Sequence, residues 1–197
     1  MTMDDTDPWL VRWLPLLAEC AGADPVLELG CGDGRDSATL AAAGLRVEAI
    51  ELSARAADAA RERRLAGVRV HHQDFRAPFP LAEGQRIGVV LASLSLHYFE
   101  WEQTLELVER IHALLRPGGV LLCRLNSVND RHYGGRGPGR SDEDNLYLVD
   151  GSPKRFFERG TVQRLFARGW HIAQLEELSI ARYEHPKVAW EALLRRD

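Results

Sequence analysis

Three glycines at alternate positions, Gly30, Gly32 and Gly34 in VLELGCGDGRDS, stand between an apolar run and a polar one, with Glu28 before them and Asp33 among them. Glycines so spaced let a chain turn tightly and bring bare backbone against a ligand. The spacing is GxGxG, whereas a dinucleotide turn needs GxGxxG or GxGxxA, and position 35 is Arg. Neither Glu28 nor Asp33 would welcome a pyrophosphate at a helix N-terminus. The pattern points to a ligand that carries positive charge and no phosphate. Further along, SLSLHYF at 93–99 gathers Ser93, Ser95, His97 and Tyr98, groups able to orient an acceptor or to take its proton.

The elements that must position these groups read as alternating strands and helices. Apolar runs at 26–29 and 45–52 flank a helix-sized segment, and Ser53 is placed to cap an alanine- and arginine-rich helix running to Leu65. A strand at 68–72 follows, then a fully buried one in IGVVLASLSL from Ile87. A helix with Leu105, Val108, Ile111, His112 and Leu115 on its apolar face stops at RPGG, before the strand VLLCRLN. GTVQRLFARG reads as a short helix with Thr161 near its start, and WHIAQLEELSIARY as two final strands that form an antiparallel hairpin on the sheet edge. At the front, DPWLVRWLPLLAEC reads as one helix with Asp7 as N-cap and Pro8 at its first position. The expected fold is α/β: a doubly wound, mostly parallel seven-stranded sheet with helices on both faces and a C-terminal antiparallel hairpin. One domain over 1–197 accounts for the length, with 1–24 as an N-terminal helix covering the ligand and the glycine-rich stretch 126–156 as a lid.

In this order the motifs resemble those of the class I S-adenosylmethionine-dependent methyltransferases over 26–126. ELGCGDG looks like their first motif, and Glu51 stands where the family carries an acid at the end of the second strand. QDF follows the third strand, LASLSLHYF ends the fourth and LRPGG precedes the fifth. S-adenosylmethionine has an ammonium, a carboxylate, a sulfonium, a ribose and an adenine, and no phosphate, so it matches the ligand the turn asks for. The resemblance implies that Glu51 accepts hydrogen bonds from both ribose hydroxyls, and that Asp74 and Phe75 hold the adenine. It further implies Arg12, Glu28, Gly30, Cys31, Gly32, Gly34, Leu52 and Ser93 as cofactor contacts. Trp9, Arg12 and Trp13 share one helix face, so Arg12 either reaches the cofactor's carboxylate or belongs to helix packing. IGVV lacks the acid and aromatic that often begin the family's fourth strand, which predicts a loosened structural contact there.

The same resemblance implies methyl transfer to a small-molecule acceptor near the end of the fourth strand. His97 and Tyr98 are the catalytic or positioning candidates, and Asn126, Asn129, Tyr133 and Arg155 the substrate-binding ones. His132 and Lys154 in the lid, and Arg182, Tyr183, His185 and Lys187 after the last strand, border the same region. Asp142, Glu143 and Asp144 offset part of the positive field of the lid. A narrower resemblance to tellurite-resistance, TehB-like methyltransferases implies a soft acceptor, with a chalcogen oxyanion, a thiol or a small metabolite as the classes and no general base required. Methylation of RNA or protein, and a non-catalytic S-adenosylmethionine-binding module, remain the alternatives; SLSL offers no NPPY-type tetrapeptide for a base nitrogen.

Composition narrows the rest. A formal net charge of −4 argues against a nucleic-acid surface. No apolar segment approaches the roughly 18 residues of a membrane span, and the acidic N-terminus does not look like a signal peptide, so a cytoplasmic protein is expected. Cys20, Cys31 and Cys123 are odd in number and without a CxxC pair, so neither a disulfide framework nor a metal site is expected. Oligomeric state leaves no signature in the pattern.

Overall fold

The computed structural model describes residues 8–135, 145–149, 151–181 and 183–197; Asp7, Asp142, Glu143, Asp144 and Arg182 lie outside the described residues. A seven-stranded sheet runs in the order β3-β2-β1-β4-β5-β9-β8. Its strands are β1 (Val26–Leu29), β2 (Val47–Glu51), β3 (Val68–His72), β4 (Ile87–Ser93), β5 (Leu115–Asn126), β8 (Trp170–Ile180) and β9 (Lys187–Arg196). A separate pair joins β6 (Leu146–Val149) to β7 (Ser152–Arg155). The helices are α1 (Leu14–Ala21), α2 (Arg35–Ala42), α3 (Ala54–Glu62), α4 (Trp101–Leu114) and α5 (Arg159–Leu165). None of the described helices is long and apolar enough to cross a membrane. The chain divides into two compact units, Met1–Leu91 with Leu114–Val120, and Ala92–Ala113 with Leu121–Asp197.

In the first unit β1 lies parallel between β2 and β4, with Leu27 opposite both Glu48 and Val90. All of β1 is buried, as a parallel strand covered on both faces must be. Ser53 caps α3 as expected, its hydroxyl accepting from the Ala56 N–H at 3.3 Å. The N-terminal segment is not one helix: Pro8–Trp13 forms a 3-10 turn, and α1 begins only at Leu14. Pro15 accounts for the break, because a proline is tolerated in a first turn but removes a hydrogen bond and clashes inside a continuous helix. At the far end of α1, the Arg116 guanidinium from RPGG donates to the Cys20 carbonyl and pairs with Asp24. The IGVV glycine corrects the loosened contact expected there. A Cβ on Gly88 would stand 1.7 Å from the Cys20 carbonyl oxygen, so β4 passes the end of α1 at a distance only glycine allows.

In the second unit the terminal hairpin is larger than WHIAQLEELSIARY. That stretch supplies one strand, β8, and its partner β9 is the segment placed after the last strand in the sequence reading. They pair antiparallel from Trp170 with Arg196 to Ile180 with Lys187. Ala, Glu and Leu in VAWEALL carry little strand propensity, but residues 189–194 are all buried and tertiary packing decides their state. Tyr183, His185 and Lys187 therefore sit at the β8–β9 connection rather than beyond the sheet. Within the stretch 126–156, the end is ordered as the β6–β7 hairpin, Leu146 opposite Arg155.

Candidate functional site

The glycine turn of the first unit is tied to the end of β2 by its own amides. Gly30 and Cys31 N–H both donate to the Ile50 carbonyl, at 2.8 and 3.0 Å, and Gly34 N–H donates to Cys31 at 2.9 Å. The Gly32 N–H donates to Glu51 Oε2 at 2.8 Å, and Glu51 Oε1 accepts from the Ser53 N–H at 2.8 Å. Amides spent in this way do not form a phosphate cradle, which excludes a pyrophosphate on a firmer ground than spacing does. Each Glu51 oxygen keeps a further acceptor site, so a diol fits there. Gly32, at φ +56°, faces open space: an added Cβ meets nothing within 4 Å. Gly34 is the more tightly packed position. Its Cβ position lies 3.1 Å from the Ala60 Cβ, so this glycine lets α3 pack against the turn.

The two acids that first suggested a cationic ligand are both engaged within the protein. Glu28 is buried in β1 and accepts from the Ser37 hydroxyl. Burial and then the neighbouring Asp36 push its carboxyl up to about 8, so it holds a proton at neutral pH. Burial also works against ionised Asp33, but hydrogen bonds from Arg63 and Arg35 outweigh it and hold the carboxyl below the usual range. Those arginines stand at 2.8 and 3.2 Å. Glu51 is thus the carboxylate that remains for ligand in this turn. Asp74 accepts from the Arg76 backbone N–H at 2.8 Å and its Nε at 2.9 Å, so an adenine amine would share that carboxylate. Phe75 and Cys31 are buried, the thiol pushed up by burial, while Leu52 is exposed. Trp9 and Trp13 are buried, with the Trp9 indole donating to Asp36 at 3.0 Å. Arg12 is exposed, its guanidinium 5.0 Å from the Trp13 ring centroid.

The second unit holds a pocket of about 170 Å³ at the end of β4. His97 and Asn126 form its buried floor, Tyr98, Tyr133 and Tyr183 its aromatic wall, and Lys154 and Lys187 supply charge. Burial, then Lys187 and Lys154, hold the His97 imidazole well below its ordinary range, so it is neutral. The buried His97 Nδ1 and Asn126 Oδ1 have no partner among the described residues. Lys187 Nζ stands 3.2 Å from Asp130 Oδ2, and Lys154 Nζ lies 5.8 Å from the Tyr98 ring centroid. Ser93, half-buried, closes β4, and Leu94 beyond it, at the pocket edge, adopts φ +56°, a strained value for leucine.

Two expected substrate residues do not reach this pocket. The exposed Asn129 gives its amide to Glu177 at 3.0 Å, clamping the chain after β5 onto β8. Arg155 is buried with its guanidinium 5.4 Å from the Trp101 centroid, and its backbone N–H donates to the His97 carbonyl at 2.7 Å. Its backbone thus ties β7 to the segment that carries His97, while its charge faces an indole. Leu94 and Asp130 were missed by sequence reasoning. Asp130 did carry a signal: an Asp two and three residues before His132 and Tyr133 suits an Asx turn, and its Oδ1 accepts from both amides, at 3.1 and 2.9 Å.

Known proteins resemble this chain in sequence and in fold. Residues 26–119 match the family described as Methyltransferase domain. A ubiquinone biosynthesis O-methyltransferase of Paraburkholderia phytofirmans is 31% identical over 133 residues, 66% of this chain, and the match spans 56% of that relative's length. An S-adenosylmethionine-dependent methyltransferase from Mesorhizobium loti superposes with a TM-score of 0.71 at 20% identity, over 95% of this chain and 97% of that one. The Burkholderia thailandensis 1,6-didemethyltoxoflavin-N1-methyltransferase, solved with 1,6-didemethyltoxoflavin and S-adenosylhomocysteine, superposes with a TM-score of 0.69 at 24% identity, over 96% of this chain and 81% of that one. At these identities the two structures establish the shared fold.

Proposed function

We propose that this chain, whose residues 26–119 match the methyltransferase domain family, is a member of that family and an S-adenosylmethionine-dependent methyltransferase acting on a small-molecule acceptor. The observation that carries the reading is Glu51. It accepts from the glycine turn with one oxygen and from Ser53 with the other, and keeps acceptor capacity beside the open face of Gly32. Held rigidly, it takes both ribose hydroxyls without reorganising. Phe75 and Asp74 bound the adenine end, and the engaged amides of the turn reject phosphate-bearing nucleosides. S-adenosylmethionine supplies an electrophilic methyl group on a sulfonium whose departure as a thioether leaves the electron pair on sulfur.

What the chain adds is placement and proton acceptance. The acceptor occupies the pocket of the second unit, where His97 is neutral and its Nδ1 takes a proton as the acceptor atom is methylated. Tyr98, with its ring centroid 4.5 Å from that of His97, positions the substrate. Calorimetric titration with S-adenosylmethionine and S-adenosylhomocysteine tests the assignment. Saturable binding of both is expected, and binding of neither would sink it.

A further inference from the structure

We infer that the methyl acceptor is a planar, single-ring organic monoanion bearing a hydroxyl or N–H group, a substrate class that rests on the methyltransferase reading and follows from the walls of the second unit's pocket. Its volume of about 170 Å³ falls below the roughly 300 Å³ at which drug-sized pockets begin, which suits one ring and its substituents. The wall is aromatic: the rings of Tyr133 and Tyr183 lie 5.5 Å apart, and Tyr98 packs on His97. Such faces favour a flat π-system over a compact inorganic ion.

Charge sets the sign and number. Lys187 is paired with buried Asp130 at 3.2 Å, so that pair is neutral overall. Lys154 has no carboxylate partner among the described residues, and its ammonium leaves one positive charge at the rim. One unmatched cation beside an apolar wall suits one anionic group on the ligand.

The floor sets the remaining group. Asn126 Oδ1 is an acceptor, and the buried nitrogen of neutral His97 can serve as one; neither has a partner among the described residues. Buried polar atoms are rarely left unsatisfied, so the ligand must bring a donor to this end. An O–H or N–H there loses its proton to His97 Nδ1 as the acceptor atom gains the methyl group. The carboxylate end then faces Lys154 and the donor end faces the floor.

4-Hydroxybenzoate, 4-hydroxybenzamide, trans-4-hydroxycyclohexanecarboxylate and selenite titrated calorimetrically into the full chain test this, on the wild type and on Lys154→Met checked for folding by circular dichroism. 4-Hydroxybenzoate is expected to bind about tenfold tighter than the neutral amide or the saturated acid. In Lys154→Met the preference over the amide should fall to within about twofold while the preference over the saturated acid persists. Equal binding of acid and amide, a preference that survives Lys154→Met, tighter binding of selenite, or binding of no ring acid would each overturn the proposal. S-adenosylhomocysteine titrated in parallel separates the two readings. Its binding without discrimination among the ring probes defeats the acceptor class alone, and discrimination without its binding defeats the methyltransferase assignment.

Discussion

Glu51 shows how one side chain can build a site and also serve it. Its carboxylate anchors the Gly32 amide, and a hydrogen bond to a charged group contributes roughly 1.5–3 kcal/mol. Glu51→Ala should therefore weaken S-adenosylhomocysteine binding by about tenfold or more, read by titration; unchanged affinity would remove Glu51 from the site. Glu28 makes a second prediction. Its carboxyl is raised from 4.5 to about 8 in the folded chain, so the folded state binds the proton more tightly than the unfolded one. Its contribution to stability is then full below pH 4.5 and is lost as the pH rises through about 8. Glu28→Gln resembles the protonated acid, and the fall in melting temperature between those limits should flatten in this variant. A wild-type slope retained in Glu28→Gln would show that another group titrates.

At the scale of elements, the site depends on a helix and a turn that meet through glycine. Gly34 sits at φ +82°, and a methyl group there would press on Ala60 of α3. Gly34→Ala should cost about 1–2 kcal/mol from the left-handed backbone alone, with more from that contact, measured by urea unfolding. Because Gly34 packs against Ala60, S-adenosylhomocysteine affinity under native conditions should change less in Gly34→Ala than in Glu51→Ala. A larger loss of affinity than in Glu51→Ala would return Gly34 to the ligand's surface.

For the molecule as a whole, Arg124 on β5 and Glu191 on β9 form a buried ion pair at 3.0 Å. Both groups are buried, so removing one takes from the other its opposite charge at 3.0 Å. Arg124→Met should destabilise the protein by about 3–5 kcal/mol in denaturant unfolding, while Arg124→Met with Glu191→Leu should recover most of that loss. A double variant no more stable than the single one would show that the pair is not what the buried charge depends on.

The local order of the chain is legible in its residues: strand and helix alternation, the glycine turn, the Ser53 cap and the acid closing β2. These follow from side-chain periodicity and turn chemistry, which act over a few residues. Proline at position 15 was equally visible, and its breaking of the first helix follows from the same local rules. Where the charges go depends on the folded chain. Asp33 is claimed by Arg63, 30 residues away, and Asp130 meets Lys187 across 57 residues, while Asn129 is drawn to Glu177 and Arg155 to an indole. β9 likewise became a buried strand against its composition. Contacts between groups so distant in the chain exist only once the fold has brought them together, and they are what separate a charged residue at a site from a charged residue near it.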